Sequence, residues 1–150
     1  MVAAVSGVPD PELPMLTIAD LGILREVSVE DGTVVVTITP TYSGCPAMDA
    51  IRDDIVRALP GIDVEVRTVL SPAWTTDRIT SRGRARLAQH GIAPPGPVAA
   101  GGPVLMRLSQ RCPQCGSPDT RELSRFGSTA CKSLWVCNAC AEPFDHFKEL

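Results

Sequence analysis

The sequence predicts an α+β fold: a small antiparallel sheet with helices on one face, followed by a C-terminal ribbon. Three observations predict it. Alternating or β-branched stretches mark strands at 23–29, 33–39 and from 62 onward. Apolar residues at helical spacing mark a helix at 46–59. Four cysteines in two C-x-x-C pairs mark a small cross-linked module near the end.

The elements follow in chain order. Pro9-Asp10-Pro11 is placed to start a short helix running to about Gly22. Ile23–Val29 and Thr33–Thr39 read as an antiparallel hairpin, with Glu30-Asp31-Gly32 as the turn. Val34, Val36 and Ile38 share one face. In 46–59, Met48, Ile51, Ile55 and Leu59 form one apolar stripe, while Arg52, Asp53 and Arg57 face out. Pro60-Gly61 ends that helix. Ile62, Val64 and Val66 then alternate with Asp63, Glu65 and Arg67, as in a half-exposed strand. Residues 75–90 read as a second, arginine-rich helix.

Residues 91–103 hold eight Gly or Pro in thirteen positions, a density that sustains neither a helix nor a strand. They are read as a linker between an N-terminal domain, residues 1–90, and the ribbon, residues 104–150.

Composition narrows the function. The chain has 150 residues and a net charge of −3. Residues 1–106 carry net −4 and residues 107–150 net +1, so neither half has the basic excess of a nucleic-acid binder. No apolar run approaches the ~18 residues of a membrane span. The N-terminus lacks the basic start and apolar stretch of a signal peptide, so a cytoplasmic setting with reduced cysteines is expected. The two histidines, His90 and His146, sit in no recognisable catalytic motif. The chain is therefore not expected to be catalytic itself.

Six cysteines in such a chain point to metal or thiol chemistry rather than disulfides. Cys112-Pro-Gln-Cys115 and Cys137-Asn-Ala-Cys140 are separated by 21 residues. Two thiolates three residues apart can reach one ion from a tight turn. Two such turns complete a tetrahedron of soft ligands, which suits Zn²⁺. An iron tetrathiolate is the alternative, since sulfur donors alone do not separate the two metals. Trp135, Phe144 and Phe147 are read as core filling, and His146 as a surface residue. Cys131 is left over, read either as a buried apolar residue or as a further thiol ligand. Cys45, in Gly44-Cys45-Pro46, is read as the N-cap of the helix at 46–59. The helix dipole would there lower its thiol pKa; an inert capping residue is the other reading.

Asp10-Pro11-Glu12-Leu13, Asp20-Leu21-Gly22-Ile23 and Gly44-Cys45-Pro46 resemble the SufT-type iron–sulfur assembly family over about residues 8–72. Phe126-Gly-Ser-Thr-Ala-Cys131-Lys132, the four ribbon cysteines and Pro143-Phe-Asp-His-Phe-Lys148 resemble the PaaD family of bacterial phenylacetate degradation. The resemblance implies an accessory or maturation protein for the multicomponent oxygenase that epoxidises phenylacetyl-CoA. It would assist iron or iron–sulfur centres, with that oxygenase's components, including its iron–sulfur reductase, as partners. The family's cysteine falls on Cys45 and its acidic start on Asp10 and Glu12. A cluster needs about four ligands, so Cys45 would act with a second copy, with a client, or with Cys131. A stably bound non-catalytic subunit is the alternative. A nucleic-acid-binding ribbon is the weakest reading, resting on Arg78, Arg82 and Arg86 at one-turn spacing.

Overall fold

A computed structural model describes residues 1–98 and 108–150. The chain divides into two compact units, Met1–Gly83 and Arg84–Leu150.

The first unit is built on a hairpin. Strands β1 (Leu24–Glu30) and β2 (Thr33–Ile38) pair antiparallel, with Glu30 opposite Thr33. The loop is Asp31-Gly32, both at positive φ, the two-residue turn whose twist matches the flanking strands. Register shifts between Leu24 and Glu26, so Arg25 sits at a bulge. Helix α2 (Ala47–Ala58) buries Met48, Ile51 and Ile55, with Leu59 buried at its end, as the stripe predicts. Strand β3 (Val64–Thr68) then pairs with β2 in parallel, giving the order β1-β2-β3. The α+β class stands, but this sheet is mixed rather than antiparallel. The twelve residues of α2 supply the long crossover that a parallel partner requires. As the central strand, β2 buries Val35 as well as Val34, Val36 and Ile38. Ile62 precedes β3 and is exposed.

The segment read as a helix from Pro9 to Gly22 is not one. The short helix α1 lies earlier, at Val2–Ser6, and residues 9–22 form bonded turns. Asp10 Oδ1 accepts from the N–H of Glu12 (2.9 Å) and of Leu13 (2.8 Å), the pattern of a helix N-cap. Pro14 stops the turn from continuing: it stands where an N–H should reach back to the Asp10 carbonyl, has none to give, and disfavours helical backbone at Leu13. Leu13, Leu16, Ile18, Leu21 and Ile23 are nonetheless all buried.

The residues 75–90 are not one helix either. Thr76–Arg78 form a single 3₁₀ turn, and α3 runs only from Ser81 to Gln89. Arg78 therefore lies outside α3, and the arginine stripe is broken. Arg82 is engaged elsewhere: its Nε donates to Asp20 at 2.6 Å. Asp20 is fully buried and ties two segments together. It bonds reciprocally with Thr17, and its carbonyl accepts from Thr80 N–H at 2.9 Å. Burial alone would raise its pKa, but the bonds from Arg82 and Thr17 bring it below the ordinary 3.8. Its contribution is thus complete above that value and fades as pH falls through the folded pKa. Asp20→Ala removes two charge-assisted bonds and should cost about 2–4 kcal/mol in chemical denaturation at neutral pH. The deficit should shrink in acid.

The second unit is a four-stranded sheet in the order β4-β7-β6-β5. Its strands are β4 (Ile92–Ala93), β5 (Thr120–Ser124), β6 (Lys132–Cys137) and β7 (Pro143–Phe147). Strands β5, β6 and β7 form an antiparallel meander, and β4 adds in parallel to β7. Ile92 and Ala93, inside the stretch read as a linker, are therefore a buried strand of this sheet. Residues 99–103 of that stretch lie outside the described residues. Trp135, Phe144 and Phe147 are buried, and Trp135 and Phe144 cluster with Ala93, Cys112 and Cys137. His146, expected at the surface, is buried edge-on to Trp135. Its Nε2 lies 3.5 Å from Glu149, whose carboxylate also accepts from Gly96 N–H at 2.9 Å. Burial opposes ionisation of Glu149, but these partners hold its pKa at about 2.

Candidate metal centre

The two C-x-x-C turns are built alike. In the first, Gly116 N–H donates to Cys112 O (2.8 Å) and Cys112 N–H to Ser117 O (3.0 Å). In the second, Ala141 N–H donates to Cys137 O (2.9 Å) and Cys137 N–H to Glu142 O (3.0 Å). Both turns close through a residue at positive φ, Gly116 at 74° and Ala141 at 63°. Glycine takes that conformation freely, whereas Ala141 takes it at a cost.

These turns bring four sulfurs together. All four lie within 4.8 Å of one another. Cys112 Sγ is 3.7 Å from Cys140 Sγ, and Cys115 Sγ is 3.6 Å from Cys137 Sγ. Zn–S bonds of ~2.3 Å imply a tetrahedron edge of about 3.8 Å. The donor set therefore fits a tetrahedral tetrathiolate ion. Cys112 and Cys137 are buried, while Cys115 and Cys140 are exposed.

Backbone N–H groups prepare the thiolates. The Cys140 N–H, helped by that of Ala139, lowers the pKa of Cys137 to about 7. The Glu142 N–H favours the Cys140 thiolate, but desolvation and the neighbouring sulfurs outweigh it and push Cys140 to about 12. In Cys115, the Ser117 N–H is likewise overcome by Cys137 and desolvation. Four sulfurs this close do not all ionise unaided. A divalent cation supplies the missing positive charge and releases the protons.

The other site candidates are not gathered with them. Among the described residues, these four cysteines are the only group of three or more His, Cys, Asp or Glu with converging ligand atoms. Cys131 is buried, with its Sγ 3.0 Å from Thr129 Oγ1 and its carbonyl accepting from Lys148 N–H. Asp10 is buried within its own turn, and burial raises its pKa despite the two N–H donors. Glu12 is half-buried.

Cys45 is half-buried at the entry to α2. Its carbonyl accepts from Met48 N–H at 3.3 Å, as a capping residue's does. The cap itself is Pro46, already helical in φ and ψ, so Cys45 stands one residue further out than expected. The Thr39–Ser43 stretch just before it faces Leu70, Ala73 and Trp74 across a small cavity of about 110 Å³. Sequence reading did not find this neighbour, because only the fold brings 70–74 beside 39–43.

Comparison with known proteins covers both units. A profile described as "Iron-sulfur cluster assembly protein" matches residues 2–70, and one described as "PaaD zinc beta ribbon domain" matches residues 105–148. A relative from Escherichia coli (strain K12), named as one subunit of a "Putative 1,2-phenylacetyl-CoA epoxidase", is 46% identical over 97% of this chain and 89% of its own length. The Fe-S protein maturation auxiliary factor YitW of Bacillus subtilis (strain 168) is 35% identical over 58% of this chain and 89% of its own. The crystal structure of a DUF59 domain of unknown function from Bacillus anthracis is 27% identical, with a TM-score of 0.48 over 57% of this chain and 85% of that one. An iron–sulfur-assembly unit followed by a four-cysteine zinc ribbon, matched to one relative along nearly its whole length, places this chain in the PaaD family.

Proposed function

We propose that this protein is an accessory and maturation factor of the phenylacetyl-CoA epoxidase system, handling iron or an iron–sulfur cluster transiently through Cys45. The observation that carries the reading is the joining of the two matched units in one chain. The chemistry is consistent with a division of labour. Cys112, Cys115, Cys137 and Cys140 would hold Zn²⁺ with all four thiolates, bracing that unit rather than exchanging ligands. Among the described residues Cys45 belongs to no such group, and it is half-buried at the entry to α2. Asp10 serves its own turn, which leaves Glu12 as the acidic candidate of that segment. The remaining cluster ligands come from a client, such as the iron–sulfur reductase of the system, or from a second copy of the chain. A cytoplasmic setting keeps Cys45 reduced. No described helix is long and apolar enough to cross a membrane.

The test is co-expression of the epoxidase components with Cys45→Ser. Cluster content of the reductase and epoxidation of phenylacetyl-CoA should both fall, while the zinc content of this protein stays the same. Unchanged cluster content and unchanged epoxidation would remove the Cys45 role.

The second reading is a stably bound non-catalytic subunit, favoured by the name of the Escherichia coli relative, which describes a component of the epoxidase. It predicts co-purification with the other components at fixed stoichiometry. A fully active oxygenase isolated without this chain excludes it. A nucleic-acid role loses its main support, because Arg78 lies outside α3 and Arg82 is bonded to Asp20.

A further inference from the structure

The first unit contains six arginines. Four face carboxylates: Arg52 with Asp49, Arg57 with Asp54, Arg67 with Glu30 and Glu65, and Arg82 with Asp20. Arg25 and Arg78 have no carboxylate partner among the described residues. Both line one open cavity of about 430 Å³, together with Gly22, Val69, Ser71 and Pro72. No acidic residue lines it.

The fold places this pair deliberately. The bulge in β1 falls at Arg25, and a bulge re-aims the side chain it carries. Arg25 Nε donates to Thr39 Oγ1 and its Nη2 to Pro72 O, each at 2.8 Å. These neutral acceptors fix the guanidinium plane without cancelling its charge, and they leave Nη1 to a ligand. Arg78 is brought close by Gly22, the one residue that tolerates the Arg78 backbone at that distance. Burial, and then the charge of Arg78, depress the Arg25 pKa, in keeping with both lining one cavity.

We propose that this cavity binds a small dianionic oxyanion, of the phosphate type, clamped between the guanidinium groups of Arg25 and Arg78. Two cations and no acid set the ligand charge. Planar N–H forks suit oxyanions with two acceptor oxygens. The volume lies in the range of small-molecule sites. The Ser71 hydroxyl supplies a further donor on the wall.

The test is titration of the full chain with inorganic phosphate at low salt and slightly alkaline pH, where the dianion dominates. Nuclear magnetic resonance follows the Arg25 Nε–Hε signal and the surrounding amides. Saturable shifts are expected. Arg78→Gln should weaken binding at least about tenfold, as the loss of a charge-assisted bond implies. Arg78 is exposed, so an unchanged amide spectrum elsewhere will verify the fold. Arg25→Lys keeps the charge, loses the fork and should also weaken binding. Arg52→Gln should change nothing. Succinate and acetate complete the series. Succinate matching phosphate assigns the site to dicarboxylates, and phosphate alone saturating assigns it to phosphates; either result upholds a dianion site. Acetate binding as tightly as phosphate, equal weakening by Arg52→Gln, or shifts that never saturate would overturn it.

Discussion

Cys115→Ser and Cys140→Ser should abolish metal binding and unfold the ribbon as completely as Cys137→Ser. The three positions differ greatly in burial. Cys137 is fully buried in the core cluster, whereas Cys115 and Cys140 are exposed. Packing alone predicts a severe effect at Cys137 and almost none at the other two, since exposed substitutions usually stay within about 0.5 kcal/mol. Coordination predicts equal failure. A serine oxygen is a poor, hard donor at neutral pH, and a tetrathiolate short of one sulfur loses much of its affinity. Structural zinc binding is worth ~10–16 kcal/mol in comparable small modules. A unit of this size has little else to draw on. The check is metal content by mass spectrometry, together with amide dispersion for β5, β6 and β7. Cys131→Ser is the control: metal content should stay at wild type. A metal-loaded, folded Cys115→Ser protein would refute the four-sulfur site.

Gly22→Ala should destabilise the first unit by about 2–5 kcal/mol. Two costs add. The residue sits at φ +68°, where a side chain costs roughly 1–2 kcal/mol. Its added Cβ would lie 2.6 Å from Arg78 O and 2.7 Å from Arg78 Cβ. Backbone must then move, and overpacking of that kind costs ~1–3 kcal/mol. The disturbed segment also carries the bond from Trp74 Nε1 to Leu21 O and the Asp20 contacts. Gly32→Ala and Gly61→Ala are natural comparisons. Both glycines have positive φ, at 88° and 75°, with nothing within 4 Å of the added Cβ. They should cost only the torsional part. Urea denaturation of the three variants separates the terms, and equal losses in all three would show that the clash is relieved cheaply.

Local patterns were legible in the sequence where the chemistry is local. The cysteine pairs needed only their spacing, and α2 needed only its stripe. The hairpin was readable because Asp31-Gly32 admits one turn geometry. Errors arose where long-range partners decide. The alternation in Val64 and Val66 says strand but not direction, and the helix before it made the pairing with β2 parallel. Ile92-Ala93 is too short to read as a strand without β7 beside it. Pro9-Asp10-Pro11 reads as a helix start, and Asp10 does cap a turn, but Pro14 keeps that turn from continuing as a helix. The cavity of Arg25 and Arg78 was invisible, since 52 residues lie between its two cations and Arg78 sits on the 3₁₀ turn after Trp74.

The uneven burial of the four ribbon sulfurs has a kinetic consequence. Affinity and lifetime need not follow each other at such a centre. Cys112 and Cys137 are shielded, so no competing chelator or oxidant approaches from their side. Cys115 and Cys140 face the solvent, and they are the natural first bonds to break. A chelator would therefore reach an ion at this site past Cys115 and Cys140, while Cys112 and Cys137 would hold it from the inner side. A strong chelator should strip the ribbon at a rate that rises with chelator concentration, as in associative exchange, rather than at the fixed rate of spontaneous unfolding.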